Sequence, residues 1–170
     1  MADKSICTED SFFKAAEGRS ILVLDRIQDP GNMGTMLRSA EALDIGGVML
    51  LKGCTDVYAP KVVRAAAGSL LRMPVLTADG PSEALAMLRA HGKRPYAAVM
   101  EAELSCMDAD LAADAAIIIG NEGAGICPEL IKSSVPLKIP MAGNIESLNA
   151  GLAAGIIMYE SYRQKLALNK

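Results

Sequence analysis

Six short, almost wholly apolar runs constrain this chain more than any other feature: residues 20–25 (SILVLD), 48–51 (VMLL), 73–76, 95–100, 115–119 (AAIII) and 137–140. A strand wetted on one face alternates apolar and polar residues. A run that is apolar at successive positions is buried on both faces, which is the condition of strands in a helix-covered parallel sheet. Between the runs lie segments with helical spacing: 33–43, where Met33, Met36, Leu37 and Ala40 share a face; 60–67 and 81–90, each opened by a proline; and a long terminal stretch, 146–166. Gln28-Asp29-Pro30-Gly31 is a turn, after which either Asp29 or Asn32 can cap the first helix, and Gly46-Gly47 stops it. His91, before Gly92, closes the helix over 81–90. Alternation of strand and helix predicts an α/β domain with a mostly parallel sheet and helices on both faces.

The 170 residues suit one domain, and neither an internal repeat nor a low-complexity linker divides them. Residues 19–170 form that domain in this reading. Residues 1–18, with Phe12 and Phe13, are an N-terminal extension or a junction to a further domain. Aromatic residues are only 4% of the chain and tryptophan is absent, so the core must be aliphatic. The first ten residues carry charges where a signal peptide needs an apolar stretch, and no apolar run approaches a membrane span. A cytoplasmic protein without a membrane partner is expected. Cys7, Cys54, Cys106 and Cys127 form no CxxC pair and there is one histidine, so neither a metal nor a disulfide framework is expected. The net charge of −3 argues against a strong autonomous hold on nucleic acid, which comes from clustered Lys and Arg. The best basic patch is Lys61, Arg64 and Arg72, with Tyr58 beside them.

Chemistry concentrates in three polar, glycine-containing segments that follow strands: 29–38, 120–125 and 141–149. Ligands of open parallel sheets bind beyond the carboxyl ends of the strands, so these segments should gather at one edge. Asn32 can cap the helix through its side-chain oxygen, and Arg38 can pair with Glu41 on the helix surface. Gly120, Gly123 and Gly125 allow close ligand approach around Glu122. Ser147 and Asn149 open the last helix, where Ser147 can cap it. The loop after the first strand reads DPGNMG rather than GxGxxG, and GNEGAG lacks a following P-loop lysine; dehydrogenase and nucleotide hydrolase readings fail on these points.

The run DPGNMGTMLRSAEALDIGG resembles motif 1 of the SpoU/TrmH branch of the SPOUT methyltransferases, IIIGNEGAGI its motif 2, and IPMAGNIESLNAGLAAGIIMYE its motif 3. The similarity extends over residues 21–160. It implies a C-terminal deep trefoil knot, S-adenosylmethionine as cofactor with no metal, and a homodimer with the active site near the subunit boundary. It further implies methylation of a ribose 2'-hydroxyl in transfer or ribosomal RNA. By the same resemblance Arg38, Asn32, Glu122, Ser147 and Asn149 are the catalytic set, and Gly120, Ile139, Met141 and Leu148 hold the cofactor. Arg38, Lys61 and Arg64 meet RNA, and a missing RNA-recognising domain would precede the N-terminal segment. Arg38 is either a base perturbed by its surroundings or a cation that stabilises a developing alkoxide and positions a phosphate; the normally charged guanidinium makes the first role awkward. One departure stands out: Ala150-Gly151 follows Ser-Leu-Asn where many relatives have Val-Ser. A scaffold of this fold that binds cofactor or RNA without turnover is the alternative. The intact polar set argues against it, and methyl transfer from labelled cofactor to RNA separates the two.

Overall fold

The computed structural model describes residues 7–143 and 145–168. Strands β1 (Ile21–Asp25), β2 (Val48–Leu51), β3 (Val75–Ala78), β4 (Arg94–Ala98), β5 (Ala115–Gly120) and β6 (Val135–Leu137) form one sheet in the order β3-β2-β1-β5-β4-β6. All pairings are parallel, with Leu22 opposite both Val48 and Ile117. The helices are α1 (Glu9–Ala15), α2 (Pro30–Ala42), α3 (Pro60–Ala65), α4 (Pro81–Ala90), α5 (Pro128–Lys132) and α6 (Ala150–Leu168).

The double burial read from the aliphatic runs is realised in β1, β2 and β5, whereas β3, β4 and edge strand β6 expose part of their length. Leu22, Leu24, Leu50, Ile117 and Ile119 pack with Met33, Met36 and Leu37 of α2, Val62 of α3, and Ala154 and Ile157 of α6. Their neighbours Ile21, Val23, Met49, Leu51 and Ile118 pack on the opposite face with Phe12 and Phe13 of α1, Leu85 and Leu88 of α4, and Leu130 of α5. Phe12 is fully buried. A Cβ at Gly47 would stand 2.4 Å from its Cε2, so glycine there admits the ring. The amino-terminal segment is further tied by Lys93, whose buried ammonium donates to the carbonyls of Ala16 (2.7 Å) and Arg19 (2.8 Å) and pairs with Asp114 (2.6 Å). Residues 1–6 of the 1–18 extension lie outside the described residues.

Several boundaries differ from the sequence reading. Helix α2 begins at Pro30 rather than residue 33, because Asp29 is the cap: its carboxylate accepts the Asn32 N–H at 2.7 Å. Strand β3 starts at Val75, because the Arg72 N–H closes a 3-10 turn on the Ser69 carbonyl (3.0 Å) and the Met73 N–H bonds to the same carbonyl (2.9 Å). Strands β4 and β6 each begin and end earlier than 95–100 and 137–140. The terminal helix begins at Ala150, not residue 146, since the Asn149 side chain accepts the Leu152 N–H at 3.1 Å and caps it. Ser147 therefore lies in the preceding coil. Helix α5 has no counterpart in the sequence reading; five residues are too short to display a helical period. His91 is the C-cap of α4, as expected, and its ring also stacks on Phe13.

After edge strand β6 the chain returns across the sheet, and α6 packs on α2 and β5. Its far half is held by the connection between β4 and β5: Ser161 donates to the Leu111 carbonyl (2.6 Å), and Gln164 accepts the Leu111 N–H (2.8 Å). Among the described residues no helix is long and apolar enough to cross a membrane.

Candidate active site

Neighbours β1 and β5 run parallel, so the turns after Asp25 and after Gly120 leave the sheet side by side at its carboxyl edge. A two-residue clasp joins them. The Asp25 carboxylate, almost fully buried, accepts the Cys127 N–H (2.7 Å) and a forked pair from Arg26 (2.7 and 2.9 Å). Arg26 also donates to the Gly125 carbonyl (3.2 Å) and accepts from the Asn121 amide (2.8 Å) through its own carbonyl. Asn121 shapes the glycine-rich loop by accepting the Gly123 and Ala124 N–H groups. Gly120 is required where the loop folds back: a Cβ there would be 2.3 Å from the Ile126 nitrogen.

The three polar segments meet in one hydrogen-bonded chain. Because Asp29 caps α2, the side chain of Asn32, on the first turn, is free for other partners. Its amide nitrogen donates to Glu122 Oε1 (3.1 Å), and its oxygen accepts from the Asn149 amide nitrogen (2.9 Å). Glu122 also accepts the backbone N–H groups of Gln28 (3.2 Å) and Asp29 (3.1 Å). An ionised carboxylate only accepts. Each amide therefore has one workable orientation, and donation runs from Asn149 through Asn32 to Glu122. Burial alone pushes the Glu122 carboxyl up, but the hydrogen bonds from Asn32 and the loop backbone outweigh it and hold it below the ordinary carboxylate value. Gly151 makes room at this junction: a Cβ there would sit 3.2 Å from the Asn149 oxygen and 3.3 Å from that of Asn32.

Beside the chain lies a cavity of about 710 Å³, walled by the ends of β4, β5 and β6 and the start of α6. Gly120, Ile139, Met141 and Leu148 all line it, as do Glu122, Ser147 and Asn149. The sequence reading did not single out Met100, Glu101, Lys138 or Ala153, which share the lining. Nor did it mark Asp25, Arg26 and Asn121. The one available signal was a charged pair closing an aliphatic strand.

Arg38 lies six residues beyond Asn32 on the exposed side of α2 and is not part of the cavity wall. The surface pairing with Glu41 does not form, because Glu41 is taken by Arg72, which anchors to it from the turn after α3. That bond holds the Glu41 carboxyl down at about 2. It also removes Arg72 from the free basic patch. Glu122 does not bind Arg38 either, being occupied by Asn32 and the loop backbone. Lys61 and Arg64 are exposed on α3, which packs against α2 where Gly34 meets Ala65. Among the described residues no group of His, Cys, Asp or Glu is arranged to hold a metal ion.

Fold and site define an open parallel α/β domain with a ligand cavity and a polar relay at the carboxyl edge of its sheet. The chain belongs to the SpoU rRNA Methylase family, whose model matches residues 19–159. It is 37% identical over 147 residues to the 23S rRNA (guanosine(2553)-2'-O)-methyltransferase RlmP of Bacillus subtilis, covering 86% of this chain and 59% of that protein. It superimposes with a TM-score of 0.84 on the SpoU methyltransferase AviRb from Streptomyces viridochromogenes in complex with the cofactor AdoMet, at 32% identity, covering 89% of this chain and 62% of that one. A structure described for 2-OH methylation of C/U34 on tRNA matches with a TM-score of 0.80 and 29% identity, covering 88% of this chain and 97% of that chain. The chain spans about three-fifths of the length of the curated relatives it matches.

Proposed function

We propose that this domain transfers a methyl group from S-adenosylmethionine to a ribose 2'-hydroxyl of transfer or ribosomal RNA. The observation that carries the reading is the Asn149–Asn32–Glu122 relay standing at the wall of the cavity that Gly120, Ile139, Met141 and Leu148 line. The cavity fits the cofactor: its volume lies within the roughly 300–1,000 Å³ of small-molecule clefts, and aliphatic side chains combine with closely approaching backbone, as an adenine ring requires. Gly120 and Leu148 would hold the nucleoside, with Ile139 and Met141 packing against it.

When bound, S-adenosylmethionine supplies an electrophilic methyl group on its sulfonium sulfur. The residues of this chain have to place the ribose oxygen in line with that carbon, and orientation of this kind lowers barriers by about 7–11 kcal/mol in the best intramolecular cases. The relay orients Asn149 and Glu122 at the cavity wall, and Ser147 lies in the same wall to meet the ribose. Arg38, with no side-chain hydrogen bond or ion pair to the described residues, acts as the cation that stabilises the developing alkoxide and positions a phosphate, while the hydroxyl proton passes to solvent water and S-adenosylhomocysteine is the leaving group. Lys61 and Arg64 add phosphate contacts.

The fold in this reading carries a C-terminal trefoil knot, and the return of the chain from β6 to α2, past the residues that clasp Leu111, supports it. The reading also includes a homodimer. On α6, Leu152, Tyr159 and Leu166 recur every seven residues and are 53%, 58% and 47% exposed, a stripe suited to burial against a second copy. An RNA-recognising domain in the longer protein would supply the hold on RNA that the acidic balance of this chain does not.

The purified chain, given methyl-labelled S-adenosylmethionine and bulk RNA, should release 2'-O-methylated nucleosides on digestion, read by mass spectrometry. Calorimetric binding of S-adenosylhomocysteine with no transfer to any RNA would leave only a non-catalytic scaffold.

A further inference from the structure

A second cavity, of about 440 Å³, opens beyond the carboxyl ends of β2 and β3. It plays no part in the relay or the cofactor reading. Because every strand pairing is parallel, this cavity and the cofactor cavity share one edge of the sheet. They are joined by β1's outgoing turn. The Gln28 backbone N–H donates to Glu122 (3.2 Å) while its side chain donates to the Gly53 carbonyl in the rim of the second cavity. Arg26 packs under Gly53 and reaches the Gly125 carbonyl on the other side (3.2 Å).

The lining pairs a stacking surface with acceptors. Val57, Val75 and the half-buried Tyr58 line it together with Asp56 and Asp79, the Asp56 carboxylate also accepting the Tyr58 N–H (2.9 Å), and Lys52 is exposed in the rim. We propose that this cavity is a nucleobase subsite, which takes an unstacked base of the substrate RNA next to the methylated nucleotide. Single-stranded RNA is recognised by splaying bases onto aromatic side chains and reading their edges. Carboxylates accept and do not donate, so they favour amino-bearing bases such as cytosine over uracil, whose edge is mainly carbonyl. Lys52, with Lys61 and Arg64 on the helix that follows Tyr58, meets the phosphates. The inference rests on the RNA methyltransferase reading for its ligand, though not on the cofactor residues.

The test begins with the full chain saturated with S-adenosylhomocysteine and titrated with the four nucleoside 5'-monophosphates, observed by amide NMR. Cytidine and guanosine monophosphates should shift the amides of residues 53–58 and 77–79, and uridine monophosphate should shift them least. Shifts confined to other residues, or a preference for uridine, would overturn the proposal. Thr77, exposed on β3 and part of the lining, is then replaced to plug the space: Thr77→Trp should raise the KM for RNA about tenfold, the scale of one base–aromatic contact, with S-adenosylhomocysteine affinity unchanged. A KM within about twofold of the parent would also overturn it. Asp79→Asn, a milder change, should narrow the gap between cytidine and uridine monophosphates. If the parent chain transfers no methyl group to RNA, the activity assignment has failed and the nucleotide titration alone decides the subsite.

Discussion

Arg38 on helix α2 and Glu122 on the glycine-rich loop after β5 are two charges that do not meet, and the difference in their surroundings separates their roles. Glu122 accepts from Asn32 and two backbone N–H groups, which makes it a positioning group. Arg38 is left available because Arg72 captures Glu41. Arg38→Ala should cut kcat/KM by about a hundredfold or more, the scale of losing one preorganised charge contact in a transition state, with cofactor affinity intact. Arg38→Lys should recover little, since a compact ammonium does not reproduce the planar fork. Full turnover in either variant, measured with labelled cofactor, would show that a specific guanidinium role is wrong.

The lowered pKa of Glu122 has a signed consequence. A group whose folded pKa is depressed contributes stability that is complete above its unfolded value, about 4.3, and lost as pH falls through the folded value. The parent should therefore melt above Glu122→Gln near neutral pH and converge with it in acid below about pH 4. Melting curves for both proteins across that range check the sign; a gap that widens in acid would contradict it.

Loop geometry depends on contacts too tight for any other side chain. At Gly120 an added methyl would strike the Ile126 nitrogen at 2.3 Å and the Gly125 carbonyl carbon at 2.4 Å, and backbone cannot yield as a side-chain tip does. Gly120→Ala should cost about 1–3 kcal/mol in urea unfolding, typical of overpacking, and weaken S-adenosylhomocysteine binding by more than tenfold in calorimetry. Gly34 plays a comparable part between helices, since a Cβ there would lie 2.3 Å from that of Ala65. It sets how closely α3, with Lys61 and Arg64, rides on α2. These element-level requirements were partly legible beforehand: the glycines around Glu122 marked a close approach, whereas Gly34 in mid-helix gave no local sign of which neighbour it admits.

For the molecule as a unit, the exposed stripe on α6 is the strongest open requirement. A helix exposing Leu152, Tyr159 and Leu166 in one line leaves apolar surface that a second copy would bury. Tyr159→Glu should produce a monomer by sedimentation velocity with native circular dichroism, and methyl transfer should fall with dimer population. A parent protein that sediments as a monomer at micromolar concentration would remove the dimer from the proposed mechanism.

The number and order of the strands, the covering of both sheet faces and the start of α4 at Pro81 follow from the order of residues alone, because apolar period, proline and glycine act between near neighbours in the chain, whereas the ends of β3, β4 and β6 do not. The same holds for the three polar loops, whose place at the strands' carboxyl ends is a rule of parallel sheets. Which groups meet was decided only by the fold. Asn32 finds Glu122 and Asn149 at separations of 90 and 117 residues, and Glu41 finds Arg72 rather than Arg38. The choice of Asp29 over Asn32 as cap, the brief α5 and the second cavity belong with these. The meeting of Asn32 with Glu122 depends on β1 lying beside β5 in one fixed register, a long-range pairing that no window of neighbouring residues contains.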